Sequence, residues 1–456
     1  MKTLHLTNAW HEKSGGIATF YRALIQAAER RRQQIRLIVP GEQDRTERIG
    51  EYAVIYHLKA RRAPFNSSYR MLLPASYLYP GSAIQRILKE ERPDLIEVCD
   101  KYNLHYLAAI SRLKLMQEVD MRPTTVGLSC ERMDENFAAY VGHSRLGRAF
   151  SRWYMRWIYF PFFDHHIVIS QHTAEELRAV SNGHPVERGV WLLHPGVDLT
   201  VFHRPQRRSA ARQQLLQQLG RDVRCRLLVY AGRLAPEKNL PLLLGTMRKL
   251  RESGEEMVLL IVGDGIARTA MENDAADLKA SVHFFGHIGD RNQLAEILLG
   301  CEVFLHPNPK EPFGIGPLEA MAAGLVLVAP NSGGVTEYAG ERNAMLVEPT
   351  PDAFAEAICE LLRSPQLLEA KSQAAQETAG TLDKERTADA FLDLYERIDA
   401  TTRGSLPLGD AGCAFRSTAP AIAAGRHVTG VFAELFKRGF RAWVRLRVAA
   451  ATGGMS

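Results

Sequence analysis

Two carboxylates eight residues apart flank a glycine-rich turn in the segment Glu311-Pro-Phe-Gly-Ile-Gly-Pro-Leu-Glu319, which runs on to Gly324. Gly314 and Gly316 free the main chain for close approach to a ligand. Pro317 suits the first turn of a helix whose N-terminal amides would face an anion. Glu311 precedes that turn and Glu319 sits on the helix, so a ligand crossing the helix start would meet a carboxylate at each end, each able to accept hydrogen bonds from hydroxyls. A glutamate pair at this spacing also occurs by chance, and the helix dipole alone favours acids near a helix start; the glycines, the prolines and the small residues that follow are what single this pair out.

Cations stand on a second loop. Ala231-Gly-Arg-Leu-Ala-Pro-Glu-Lys-Asn239 follows an apolar run ending at Tyr230, and carries Arg233, a permanently charged planar fork, and Lys238, a mobile point charge. Together they can neutralise a diphosphate; the plainer reading is a solvated loop with an ordinary Lys–Glu pair. Gly15 and Gly16 lie between a strand and a helix, where helix amides can meet an anion, although Gly-Gly turns are commonly just turns. Ile261-Val-Gly-Asp-Gly265 is a similar, weaker turn in which Gly263 and Gly265 would shape a pocket by lacking side chains. His306-Pro-Asn308 and Asn331–Glu337 follow further strands and read as rim elements of the same cleft.

The elements that must hold these loops alternate along the chain. Apolar β-rich runs at Leu4–Leu6, Ile35–Val39, Asp94–Val98, Thr124–Leu128 and His166–Ser170 are interleaved with helical patterns. A second cycle begins with a helix at Ser209–Leu219 and strands at Arg226–Tyr230, Val258–Val262, Val282–Phe285, Val303–His306 and Leu325–Ala329. The fold class expected is α/β, with parallel sheets covered by helices. His194-Pro-Gly-Val-Asp198 and Pro205 interrupt the pattern as a linker would. The division expected is 1–200, 201–382, a late helix in 383–403, and a linker and tail in 404–456.

Composition agrees with a large two-domain protein. The 456 residues exceed one ordinary core, and 46% hydrophobic with 24% charged residues reads as globular. No apolar run spans a bilayer and the N-terminus lacks a signal-peptide core, so a cytoplasmic location is expected. Six cysteines are scattered without a Cys-x-x-Cys pair, which points to reduced thiols and to neither structural zinc nor a disulfide framework. A formal charge of +6, spread along the chain, suits an anionic partner such as a nucleotide or lipid headgroup. No nucleic-acid-binding signature is present.

The E-x7-E segment, the Gly-Arg-x4-Lys-Asn run at Gly232–Asn239 and the glycine turns resemble the retaining glycosyltransferases of family four, which have the GT-B fold of two Rossmann-like domains facing across a cleft. The resemblance covers roughly residues 1–400. It implies that Arg233 and Lys238 bind the donor phosphates, that Glu311 approaches the transferred sugar, that the backbone at Phe313, Gly314, Ile315 and Gly316 contacts sugar or phosphate, and that Glu319 holds the ribose. It also implies that Gly15 and Gly16 lie beside the donor diphosphate and the acceptor, that Gly263 and Gly265 border the nucleotide, and that the late helix crosses back to the first domain. Front-face displacement with the departing phosphate as base is the mechanism it suggests. No Asp-x-Asp triplet is present and no metal or other cofactor is expected.

One departure concerns the donor sugar. Many relatives carry a histidine where this chain reads Ser129-Cys-Glu-Arg-Met-Asp134, which places Cys130 at that histidine's position. Cysteine is a poorer hydrogen-bond partner and is often buried as a small hydrophobe, so sugar choice is left open.

Two further segments bear on the acceptor. Phe150–Phe163 interleaves aromatics with Arg152 and Arg156, as a domain helix packing on the core or as a membrane-interface surface. In residues 428–448, Val431, Phe432, Leu435, Phe436 and Trp443 gather opposite Lys437, Arg438, Arg441 and Arg445 at about 100° per residue. Such a tail could lie on an anionic membrane, or dock on its own protein or a second subunit. The expected function is transfer of a hexose, mannose from GDP-mannose being one candidate, from a nucleotide sugar to a glycolipid or polysaccharide acceptor. The alternatives are a sugar-nucleotide epimerase of similar fold and a non-catalytic sugar-nucleotide-binding subunit.

Overall fold

The computed structural model describes residues 1–404 apart from 11–14, 64–65, 80, 113–121, 142–144, 182–188, 253 and 255. The amphipathic tail expected at 428–448 and Cys413 lie outside the described residues.

Before residue 200 the strands are β1 (Lys2–Thr7), β2 (Gln34–Gly41), β3 (Arg45–Ile49), β4 (Ala53–Lys59), β5 (Arg61–Ala63), β6 (Asn66–Met71), β7 (Leu95–Cys99), β8 (Thr124–Ser129), β9 (His165–Val168) and β10 (Val190–Leu192). Eight of them form a sheet in the order β10-β9-β8-β7-β1-β2-β4-β3, parallel throughout except where β3 returns antiparallel to β4. β5 and β6 pair as a separate hairpin. The second sheet contains β11 (Arg226–Ala231), β12 (Met257–Val262), β13 (Val282–Gly286), β14 (Val303–Leu305), β15 (Val326–Pro330) and β16 (Ala344–Val347). All of its pairs are parallel, in the order β13-β12-β11-β14-β15-β16.

Strands covered by helices on both faces must be apolar along their whole length, and Met257–Val262 is buried at every residue. In each sheet the strand order reverses beside the first strand of that half: β1 lies between β7 and β2, and β11 between β12 and β14. Loops leaving the carboxyl ends of strands at such a reversal splay apart and open a crevice. The loops singled out by sequence leave these ends: Gly15 and Gly16 after β1, Arg233 and Lys238 after β11, and Glu311 after β14.

The chain crosses between the halves twice at one place. Val197 pairs with the segment at Asp383, through Val197 N to Leu382 O at 2.8 Å and Lys384 N to Val197 O at 2.9 Å. Asp383 caps the helix Lys384–Thr402, its carboxylate accepting from the amides of Glu385 and Arg386. That helix returns onto the first half, where Phe391 meets Phe20 edge-on and Arg31 pairs with Asp393 at 2.6 Å. Tyr395 donates to the buried carboxylate of Glu97, which also accepts from Tyr21 at 2.7 Å.

The aromatic segment divides by face. Tyr154, Met155, Tyr159, Phe160 and Phe163 are buried in the core, while Phe150 and Trp153 stay nearly half exposed.

Candidate functional site

Two loops of the second half lock together by backbone contacts. Gly232 N donates to Val262 O at 2.9 Å, Leu234 N to Asp264 O at 3.0 Å, and Ala267 N back to Leu234 O at 3.0 Å. The fit needs glycine. Gly263 and Gly265 have φ of +147° and +157°, and a Cβ on them would stand 1.9 Å from Gly232 O and 2.2 Å from Leu234 O. Residues 232–238 are thereby held against the β12 turn, which fixes where Arg233 and Lys238 emerge.

Lys238 turns inward. Its Nζ donates to Glu311 Oε2 at 2.8 Å, and Asn308 Nδ2 donates to the same oxygen at 3.0 Å. His306 Nε2 is 4.0 Å away. Burial alone would raise the Glu311 carboxyl, but the charges of Lys238 and His306 and the hydrogen bonds from Lys238 and Asn308 outweigh it and hold the group down to about 2. Burial lowers His306 to about 4, with Lys238 adding to the effect, so its imidazole is neutral near pH 7. The local Lys–Glu pair of a solvated loop, the plainer reading of the sequence, is not what forms: Lys238 reaches Glu311 on another loop, and Glu237 takes Arg233. Arg233 instead lies at the surface, 2.6 Å from Glu237 and with Nη1 3.2 Å from the hydroxyl of Tyr69 in the first half.

The turn after Glu311 is equally fixed. Gly314 adopts φ +89° and precedes the helix Ile315–Ala322; its carbonyl accepts from Tyr338 Oη at 2.6 Å, while Gly334 N donates to Glu311 O at 2.6 Å. Phe313 is buried, stacking on His194 with centroids 5.5 Å apart and meeting Tyr338 edge-on. Its side chain thus ties the turn to His194 and Tyr338. Ile315 crosses to the first half, where a Cβ on Gly16 would stand 2.7 Å from Ile315 Cδ1. Gly15 is the residue before the helix Gly16–Arg31, and among the described residues nothing lies within 4 Å of a Cβ built on it.

Glu319 is buried on the helix, and Arg291 closes on it with a short ion pair while lying over the ring of Phe202. Burial raises the Glu319 carboxyl and Arg291 opposes the rise. Arg291 opens the helix Arg291–Leu299 straight after Gly289 and the capping Asp290, a local signal that could have drawn attention to it.

On the first-half wall, Cys130 follows β8 and its thiol lies 3.7 Å from that of Cys99. Both are free thiols, as are Cys225, Cys301 and Cys359. The loop carrying Cys130 is tied down by a buried pair: Lys101 Nζ, 2.5 Å from Glu176, also donates to Glu131 O, and Glu176 Oε1 accepts from Met133 N at 2.7 Å and Asp134 N at 3.1 Å. Between the halves, Ser170 Oγ donates to Pro312 O and Glu337 accepts from Gln171 N, each at 2.5 Å. Sequence reading missed Lys101, Ser170, Glu176, His194 and Arg291; Lys101 and Glu176 lie 75 residues apart and share no motif.

The arrangement gathers two cations, a helix N-terminus and two carboxylates where loops from both halves meet. Such a surface receives an anion and a polyhydroxylated group side by side. The family described as Glycosyltransferase Family 4 matches residues 14–201, and Glycosyl transferases group 1 matches residues 211–378.

The chain belongs to the family 4 glycosyltransferases.

This glycosyltransferase is 27% identical over 403 residues to a GDP-mannose-dependent α-(1-6)-phosphatidylinositol dimannoside mannosyltransferase of Mycobacterium tuberculosis, covering 88% of this chain and 98% of that one. It is 32% identical over 243 residues to a D-inositol 3-phosphate glycosyltransferase of Mycolicibacterium paratuberculosis, over 51% of this chain and 53% of the other. In fold it is similar to sucrose-phosphate synthase from Thermosynechococcus elongatus, with a TM-score of 0.71 at 19% identity over 88% of this chain and 100% of that one. It is likewise similar to HepE of Anabaena in complex with UDP and glucose, with a TM-score of 0.62 at 18% identity, covering 89% and 100%. The fold is GT-B, with two Rossmann-like domains. The epimerase and non-catalytic readings are not favoured, because the families and the named relatives are glycosyltransferases. Among the described residues no helix is long and apolar enough to cross a membrane.

Proposed function

We propose that this glycosyltransferase moves mannose from GDP-mannose to a hydroxyl of a glycolipid or polysaccharide, with retention of configuration and without a metal ion. The observation that carries the reading is the contact of Lys238 with Glu311 at the sheet reversal, beside Arg233 and the start of the helix Ile315–Ala322. The donor choice is supported by the mannosyltransferase similar along nearly its whole length. Retention is supported by the E-x7-E pattern.

In this reading Arg233, Lys238 and the helix amides receive the diphosphate, and stabilise the charge that grows on it as the bond to the sugar breaks. The bond from the anomeric carbon to phosphate oxygen breaks and the bond to the acceptor oxygen forms on the same face. The acceptor proton passes to the departing phosphate, and GDP leaves. Glu311 stays ionised throughout the neutral range, which suits it to accept hydrogen bonds from sugar hydroxyls and unsuits it as a proton donor. Glu319, oriented by Arg291, accepts from the ribose hydroxyls. Cys130 faces the sugar in place of a histidine.

A screen of purified protein against UDP-, GDP- and ADP-sugars with a membrane-lipid extract, read by mass spectrometry, tests this. A hexose-mass adduct formed from GDP-mannose supports it. An adduct formed only from a UDP- or ADP-sugar refutes the donor, and isomerised donor without any adduct refutes transfer.

A further inference from the structure

The helix Arg145–Tyr154 has three faces. Ser151 and Tyr154 are buried against the domain. At about 100° per residue, Arg145, Arg148 and Arg152 fall within one stripe, and Leu146, Phe150 and Trp153 within the next. All six are exposed, Leu146 to 84% and the two aromatics to 46% each. The arginine stripe lines an open groove of about 430 Å³, which Trp153 and Trp157 border.

We propose that this face docks on an anionic phospholipid surface, the arginines meeting headgroup phosphates while Leu146, Phe150 and Trp153 enter the headgroup–acyl boundary. A basic stripe running beside an exposed apolar one is the pattern of a helix lying in that plane. Charge decides among occupants. The chain's own tail carries Lys437, Arg438, Arg441 and Arg445, and a second copy would bring the same arginines, so either would set like charges together. An anionic bilayer supplies both the complementary charge and the apolar phase. The location also serves the site: the helix Met133–Val141 packs on this helix on one side and on the turn Pro236–Lys238 on the other, so a docked face lies beside the crevice. The proposal is independent of donor and acceptor, since docking needs neither.

Full-length protein is sedimented with phosphatidylcholine vesicles, with and without phosphatidylglycerol. Wild type is expected to bind only the anionic vesicles. Each arginine near such a surface is worth about 5-fold, so Arg148→Gln with Arg152→Gln weakens binding about 30-fold. Phe150→Ser with Trp153→Ser weakens it as well, and both doubles keep the wild-type melting temperature. Arg438→Gln with Arg441→Gln in the tail serves as the comparison. Should a double variant fail to fold, quenching by brominated lipid decides: part of the quenching in wild type is expected to disappear in Trp153→Phe. Wild type that ignores anionic vesicles, a folded arginine variant that binds within 2-fold of wild type, release by the tail variant alone, or quenching unchanged in Trp153→Phe overturns the proposal.

Discussion

Lys238 Nζ stands 2.8 Å from Glu311 Oε2 although 73 residues separate them in the chain. The contact joins the loop after β11 to the loop after β14, the two strands between which the second sheet reverses its order. Removing Lys238 takes a cation from the expected phosphate position and leaves Glu311 without its main counter-charge. Lys238→Ala is expected to lower kcat by about 10²- to 10³-fold. Lys238→Arg should recover part of the loss, because it keeps the charge but not the shape. Steady-state kinetics on folded protein checks this, and a kcat near wild type in Lys238→Ala would assign the pair to stability alone.

Arg291 and Glu319 form a further ion pair of the site. Arg291→Ala leaves a buried carboxylate with no cation beside it and free to take up a proton. Its expected effect is a rise in donor KM of about 10- to 100-fold with kcat little changed, as loss of a charged hydrogen bond used equally in ground and transition states predicts. A fall in kcat at constant KM would place Arg291 in the chemical step.

The acid limb of stability has a stated direction. His306 is lowered from 6.5 to about 4, so folding favours its neutral form; that contribution is complete above pH 6.5 and is lost as pH falls toward 4. Glu311 is lowered from 4.5 to about 2, so its contribution is present above pH 4.5 and fades as pH falls toward 2. Between pH 6.5 and 4.5 the imidazoles of His306 and of His105, the latter buried and lowered to about 3, therefore govern together, each at up to about 1.4 kcal/mol per pH unit. Melting curves should fall across that window in wild type and fall less steeply in His306→Gln, where His105 remains. Parallel curves would contradict the assignment.

Gly263→Ala puts a methyl group into Gly232 O and moves the loop that carries Arg233 and Lys238. A stability loss of about 1–3 kcal/mol is expected from the strained backbone. Denaturant unfolding should show it together with a raised donor KM. Unchanged values for both would mean that the two loops are not locked.

Much of this was legible in residue order, because parallel strands are continuous apolar runs and the loops after them carry the unusual residues. The strands at Met257–Val262 and Arg226–Ala231 were readable within a residue. Gly232–Asn239 and Glu311–Glu319 were readable for the same reason: local glycine, proline and charge are set by local backbone demands. β3 and the β5–β6 hairpin were not readable, since Arg45–Ile49 is a polar edge strand with none of its residues buried. The partner of Arg291 and the Lys101–Glu176 pair were hidden because the paired residues are distant in sequence, and no periodic pattern marks a residue whose role is to pair across the fold. Phe313 stood in a visible motif, but the partner on which its buried side chain stacks, His194, is distant in sequence and was not readable.

The most direct test is the product itself. Wild type and Glu311→Ala are incubated with GDP-[¹³C]mannose, a lipid extract and EDTA, and the anomeric carbon of the new glycoside is read by NMR. An α-mannoside from the α-linked donor, formed in EDTA and lost in Glu311→Ala, is the predicted result. A β-mannoside, transfer abolished by EDTA, or full transfer by Glu311→Ala would contradict a retaining, metal-independent reaction at this site.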